Sequence, residues 1–102
     1  MKTKADYSRE YFPATLNNGS RFSALLRFIM TRLNRGDMRQ VSVFSVCSKQ
    51  SFTPSEVRKA FDLLEAREIV AFSVHPAKPT EFIIVHLTSL GREIFKGLSD
   101  EA

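Results

Sequence analysis

Cysteine occurs once, at Cys47, in a chain of 102 residues, which excludes an internal disulfide framework and leaves too few thiolates for a structural zinc site. The expectation is a cytoplasmic protein in a reducing compartment. Long apolar runs are missing too. The longest, Ile69 to Phe72 and Phe82 to Val85, are four residues each, far too short to span a bilayer. The N-terminal MKTKADYSRE carries lysines with no apolar stretch behind them, so it does not read as a secretion signal. There is no Gly-rich phosphate loop, nucleophile elbow or HExxH, and the acidic residues fall mostly on exposed helix faces rather than in converging pairs. His75 and His86 have no carboxylate or second cysteine at ligand spacing. These absences predict a protein that is not an enzyme and holds neither metal nor cofactor. Cys47, set among Val43, Phe44 and Val46, reads as a small buried residue rather than a redox sensor.

What is present suits one folded domain. Nine phenylalanines and a hydrophobic content of 43% supply enough apolar surface to offset the entropy of ordering a chain of this length. Charge is unevenly spread. Residues 1–50 hold Lys2, Lys4, Arg9, Arg21, Arg27, Arg32, Arg35, Arg39 and Lys49 against Asp6, Glu10 and Asp37, a balance of +6; the whole chain is +4, so the second half is −2. A basic surplus attracts phosphate whatever its sequence, which suits a nucleic-acid partner.

Residues 1–18 read as an N-terminal arm, ending in the structure-breaking Asn17-Asn18-Gly19. From there Phe22, Leu25, Leu26, Ile29, Met30 and Leu33 follow the spacing of one helical face, with Ser20 as N-cap and Gly36 as stop. Met38 to Ser42 suits a short extended piece. Val43 to Gln50 suits a second, short helix, with strand as the competitor because Val41, Val43 and Ser45 alternate with polar residues. Thr53-Pro54-Ser55-Glu56 is a capping box with proline at the first helical position, so a third helix opens at Pro54 and runs to about Glu68 with Val57, Ala60, Phe61 and Leu64 inward. Ile69 to Val74 and Glu81 to Leu87 then read as two strands of a hairpin around the loop His75 to Pro79. Thr88 caps a last helix through Leu98, and 99–102 read as a frayed tail.

The order helix, short strand, helix, turn, capped helix, strand, loop, strand resembles the winged helix-turn-helix, an α+β fold, over residues 19–98. Ser51-Phe-Thr-Pro-Ser-Glu-Val57, followed by Phe61-Asp-Leu-Leu-Glu65 and Ile69-Val70, is similar to the turn, recognition helix and first wing strand of bacterial winged-helix regulators. Val85-His-Leu-Thr-Ser-Leu-Gly-Arg92 resembles the strand-to-helix junction that follows the wing in MarR-like and PadR-like regulators. The resemblance implies a transcriptional regulator on double-stranded DNA, with the helix from Pro54 in the major groove and the wing at 75–80 beside it. On that helix Ser55, Lys59 and Asp62 lie opposite the apolar stripe with Arg58 flanking, and these four would meet base edges or phosphates. Lys49, Gln50 and Ser51 at the turn would hold the backbone, Arg39 would lie towards the DNA side, and His75 and Lys78 would reach from the wing.

A plainer reading of the same helix competes. Arg58 with Asp62 and Glu56 with Lys59 are spaced to pair along a solvated face, and Ser55 to Glu68 holds four acids against three bases. The arginines of the first helix, Arg21, Arg32 and Arg35 among them, suit a solvated face or a protein contact. A winged-helix module for protein contact, such as an adaptor or a phage or plasmid accessory protein, is therefore the alternative. If Val85 and Leu87 point into the core, strict alternation sends Phe82, Ile84 and His86 outward, leaving two apolar residues that need cover. The arm aromatics Tyr7, Tyr11 and Phe12, or a second copy in a homodimer, would provide it, making these five a candidate partner interface.

Overall fold

The computed structural model describes residues 12, 13, 15, 16 and 19–101, with side chains described throughout except at 48–50 and 98–101. Helix α1, Arg21–Arg35, starts where the Ser20 hydroxyl accepts the Ser23 amide and ends where the Gly36 amide closes on the Leu33 carbonyl. Its stripe Leu25, Leu26, Ile29, Met30 and Leu33 is buried. Strand β1, Met38–Ser42, leads into helix α2, Val43–Gln50, which Ser42 caps through the Phe44 amide. Helix therefore wins over strand from Val43 on, because a cap stands at its start and Val43 and Val46 point to one side, into the core.

Ser51 takes a left-handed conformation that turns the chain, and helix α3, Pro54–Ala66, begins at the capping box read from sequence. Both halves of that box form: Thr53 Oγ1 accepts the Glu56 amide at 3.2 Å, and Glu56 Oε1 accepts the Thr53 amide at 2.9 Å. The helix stops at Ala66, short of Glu68, since Glu68 at φ 62° swings the chain so that Ile69 drops fully into the core.

Strand β2, Val70–His75, and strand β3, Lys78–Leu87, form the hairpin. Its loop is tighter than the sequence suggested, a turn at Pro76 and Ala77, with Pro79 already within β3. All pairing is antiparallel in the order β1-β3-β2. Helix α4, Ser89–Glu101, follows and continues past Leu98, where the sequence suggested fraying.

One outward expectation, at Phe82, and one partner-interface assignment, at Phe12, are corrected. Phe82 is fully buried, its ring centre 4.5 Å from that of Phe61 and 4.6 Å from that of Phe72. The cause is a bulge. Ala71 pairs with His86 but Ser73 pairs with Ile83, so β3 spends one residue more than β2 over this stretch. Ile84, at φ 55°, absorbs the extra residue, and the alternation resets so that Phe82 and Val85 both face inward while Ile84 stays out. Phe12 is also buried, packed into the protein's own core rather than held out for a partner. Tyr7 and Tyr11 lie outside the described residues.

Candidate nucleic-acid interface

The turn between α2 and α3 is fixed from a distance. Arg21, the first residue of α1, places Nε 3.0 Å from Glu56 Oε2 and Nη2 3.1 Å from Glu56 Oε1, a two-point grip on the carboxylate that caps α3. The same guanidinium donates to the Ser51 carbonyl and lies over the Phe52 ring, 4.5 Å from its centre. Hydrogen bonds from Arg21 first, and from the Thr53 amide second, hold the Glu56 carboxyl down from its ordinary 4.5 to about 2, and Glu56 raises the Arg21 value in return. Sequence reasoning placed Arg21 on a solvated face or a protein contact and paired Glu56 with Lys59. Nothing local signals the real pairing, since the two residues stand 35 apart.

From this anchored start α3 buries Val57, Ala60, Phe61 and Leu64 and exposes Ser55, Arg58, Lys59 and Asp62. Arg58 and Asp62 pair as expected, at 3.6 Å. Lys59 makes no ion pair among the described residues. Arg58 also reaches out of its helix, donating to the Pro79 carbonyl at 3.1 Å. The exposed face of α3 is thereby joined to the tip of the hairpin.

At that tip His75 and Lys78 face each other across the turn, and the His75 ring accepts the Ala77 amide through Nδ1 at 3.1 Å. Lys78 lies 3.6 Å from Glu81, which accepts a hydrogen bond from Gln40 on β1 at 2.6 Å. The Ser51 side chain is exposed beside the turn, while the side chains of Lys49 and Gln50 lie outside the described residues. Arg39 is set apart from the rest. It lines a shallow hollow with Asp37, Met38, Ile83, Ile84 and His86, none of which belongs to α3.

No protein-family model matches the chain, and no curated protein matches it in sequence. Solved structures do match. Bordetella bronchiseptica BpsR, studied for regulation of its DNA binding by 6-hydroxynicotinic acid, superposes with a TM-score of 0.59 at 21% identity over 95% of this chain and 67% of that one. The transcriptional regulator SlyA matches with a TM-score of 0.60 at 10% identity, covering 96% and 63%. A mutant of Lactococcus lactis ZitR matches at 0.57 and 15% identity, covering 82% and 55%. The likeness shows the fold, a winged helix-turn-helix. In that fold α2 and α3 are the helix-turn-helix and the β2–β3 hairpin is the wing. The chain spans between 55% and 67% of the length of these three solved winged-helix chains. Among the described residues no helix is long and apolar enough to cross a membrane, and no group of His, Cys, Asp or Glu is placed to hold a metal ion.

Proposed function

We propose that this winged helix is the DNA-binding part of a transcriptional regulator, with α3 in the major groove and the wing alongside. The observation that carries the reading is the joined surface itself: Ser55, Arg58, Lys59 and Asp62 exposed on a capped helix that is tied to the wing tip holding His75 and Lys78. A helix of this width fits the major groove of duplex DNA, and a flanking hairpin meets the adjacent backbone. The acids of α3 count against it less than their number suggests. Glu56 is taken up by Arg21 and Asp62 by Arg58, which leaves Lys59 as the cation offered to phosphate and Glu65, near the far end of the helix, as the remaining acid. Lys49, Gln50 and Ser51 at the turn would add backbone contacts. A cytoplasmic homodimer fits the two-fold symmetry of many operators, and Ile84, 66% exposed beside the Arg39 hollow, is the apolar contact it would use.

Titrating the protein onto a fluorescent mixed-sequence duplex tests the reading. Affinity should fall steeply as salt rises from about 50 to about 200 mM, because bound phosphates release counterions, and Lys59→Glu should weaken it at every salt. Binding that is flat in salt and indifferent to Lys59→Glu sinks the proposal. The second reading, a protein-contact module, draws on one observation: α3 carries Glu56, Asp62 and Glu65 against Arg58 and Lys59. It predicts instead a complex broken by Ile84→Asn and untouched by Lys59→Glu.

A further inference from the structure

We infer that Arg58 is a positioning residue that sets the distance between α3 and the wing, and reads neither base nor phosphate; the inference rests on the DNA-binding reading above. Three contacts converge on its side chain. Nη1 donates to the Pro79 carbonyl, Nε lies 3.6 Å from Asp62 Oδ1 on the next turn of α3, and the guanidinium carbon stands 5.5 Å from the centre of the Phe82 ring. Its orientation is therefore fixed by its own helix, by the core and by the wing at once.

The wing needs such a tie at this point. Val74 pairs with Phe82 and His75 with Lys78, so one step along β2 is matched by four along β3. Glu81 recovers a partner in Ser42 of β1, whereas Pro79 and Thr80 have no register partner on either neighbouring strand. Proline also has no amide to give to a ladder. This stretch of the wing is thus irregular in register, and the Arg58 bond to the Pro79 carbonyl is a side-chain tether that crosses to it from α3.

Groove binding makes that tether matter. A helix in one groove and a hairpin beside it must fit the duplex together, and a wing that wanders forfeits contact through lost pre-organisation without changing the charges presented. The planar fork of arginine suits a simultaneous hold on a carboxylate, a carbonyl and a ring face, which the point charge of lysine does not reproduce.

Two measurements on Arg58→Ala and Arg58→Lys test this. In the free protein, amide order parameters at Lys78, Thr80 and Glu81 should drop from about 0.85 towards about 0.6 in both variants. On the mixed-sequence duplex both variants should bind on the order of tenfold more weakly, with the salt dependence of the unmodified protein. Unchanged order parameters in Arg58→Ala overturn the inference. So does a salt slope shallower by about 0.9, the signature of one lost phosphate contact, or full affinity in Arg58→Lys, which would mean that charge alone suffices. If the unmodified protein itself shows no salt-dependent binding, the DNA reading fails separately, and the order parameters alone decide whether Arg58 holds the wing.

Discussion

Gly91 has no side chain because there is no room for one. A Cβ there would stand 2.2 Å from the Ile69 carbonyl oxygen, backbone that cannot swing aside. Gly91→Ala should therefore cost roughly 1–3 kcal/mol, the range for overpacking, measured as a lowered denaturation midpoint in urea. Phe82 argues the opposite way, through space it fills. Wedged between Phe61 and Phe72 with no exposed surface, it should lose about 3–5 kcal/mol on truncation to Ala, and near-native stability of that variant would contradict its place in the core. Ile84 is a third kind of residue. A β-branched side chain in the left-handed region costs about 1–3 kcal/mol, and this one recovers little by burial because it is exposed. Asparagine tolerates that conformation, so Ile84→Asn should raise the thermal midpoint while removing any self-association seen by sedimentation.

Helix α3 shows how far an element is legible. Its start was readable because Thr53, Pro54 and Glu56 are local signals four residues long, and its inward face because Val57, Ala60, Phe61 and Leu64 keep one period. The clamp on that start was not, since Arg21 is charged, exposed and distant, and only the folded chain brings it to Glu56. Strand β3 failed differently. Two-residue periodicity assumes an unbroken ladder, and isoleucine is not a residue that announces a bulge, so the parity switch at Ile84 left no trace that could have moved Phe82 inward. The clamp makes a prediction at this scale. The Glu56 carboxyl is held near 2 when folded and returns to about 4.5 when unfolded, so the stability it adds is complete above the higher value and drains away as pH falls towards the lower. The melting temperatures of the unmodified protein and Glu56→Gln should thus differ at neutral pH and converge between those limits. Because the pair is exposed, added salt should narrow the difference as well.

For the whole molecule, the wing is fastened at both ends. At the far end stands Arg58; at the near end Val70 pairs with Leu87, and the Thr88 amide and hydroxyl both bond to the Ile69 carbonyl, at 3.0 and 3.1 Å. The chain enters and leaves the hairpin at one spot. That seam was visible in the sequence as a hairpin running from Ile69 to Leu87 with Thr88 before a helix, but the bonds from Thr88 back to the Ile69 carbonyl were not, since they depend on how α3 ends. The two halves of the sequence, unequal in charge, are tied together on folding by ion pairs in both directions. Arg21 of the basic half neutralises Glu56 of the acidic half, and Arg92 of the second half meets Asp37 of the first at 3.6 Å.

A hairpin whose entrance and exit coincide can grow at its tip while Phe82 and the pairing with β1 keep its base in the core. Residues inserted at the Pro76–Ala77 turn lengthen it outward without asking the helices to move, so an added pair such as Asn-Gly should leave the melting temperature nearly unchanged while altering reach. On this geometry a lineage carrying such a scaffold could retune what it touches by extending the tip, keeping the core untouched.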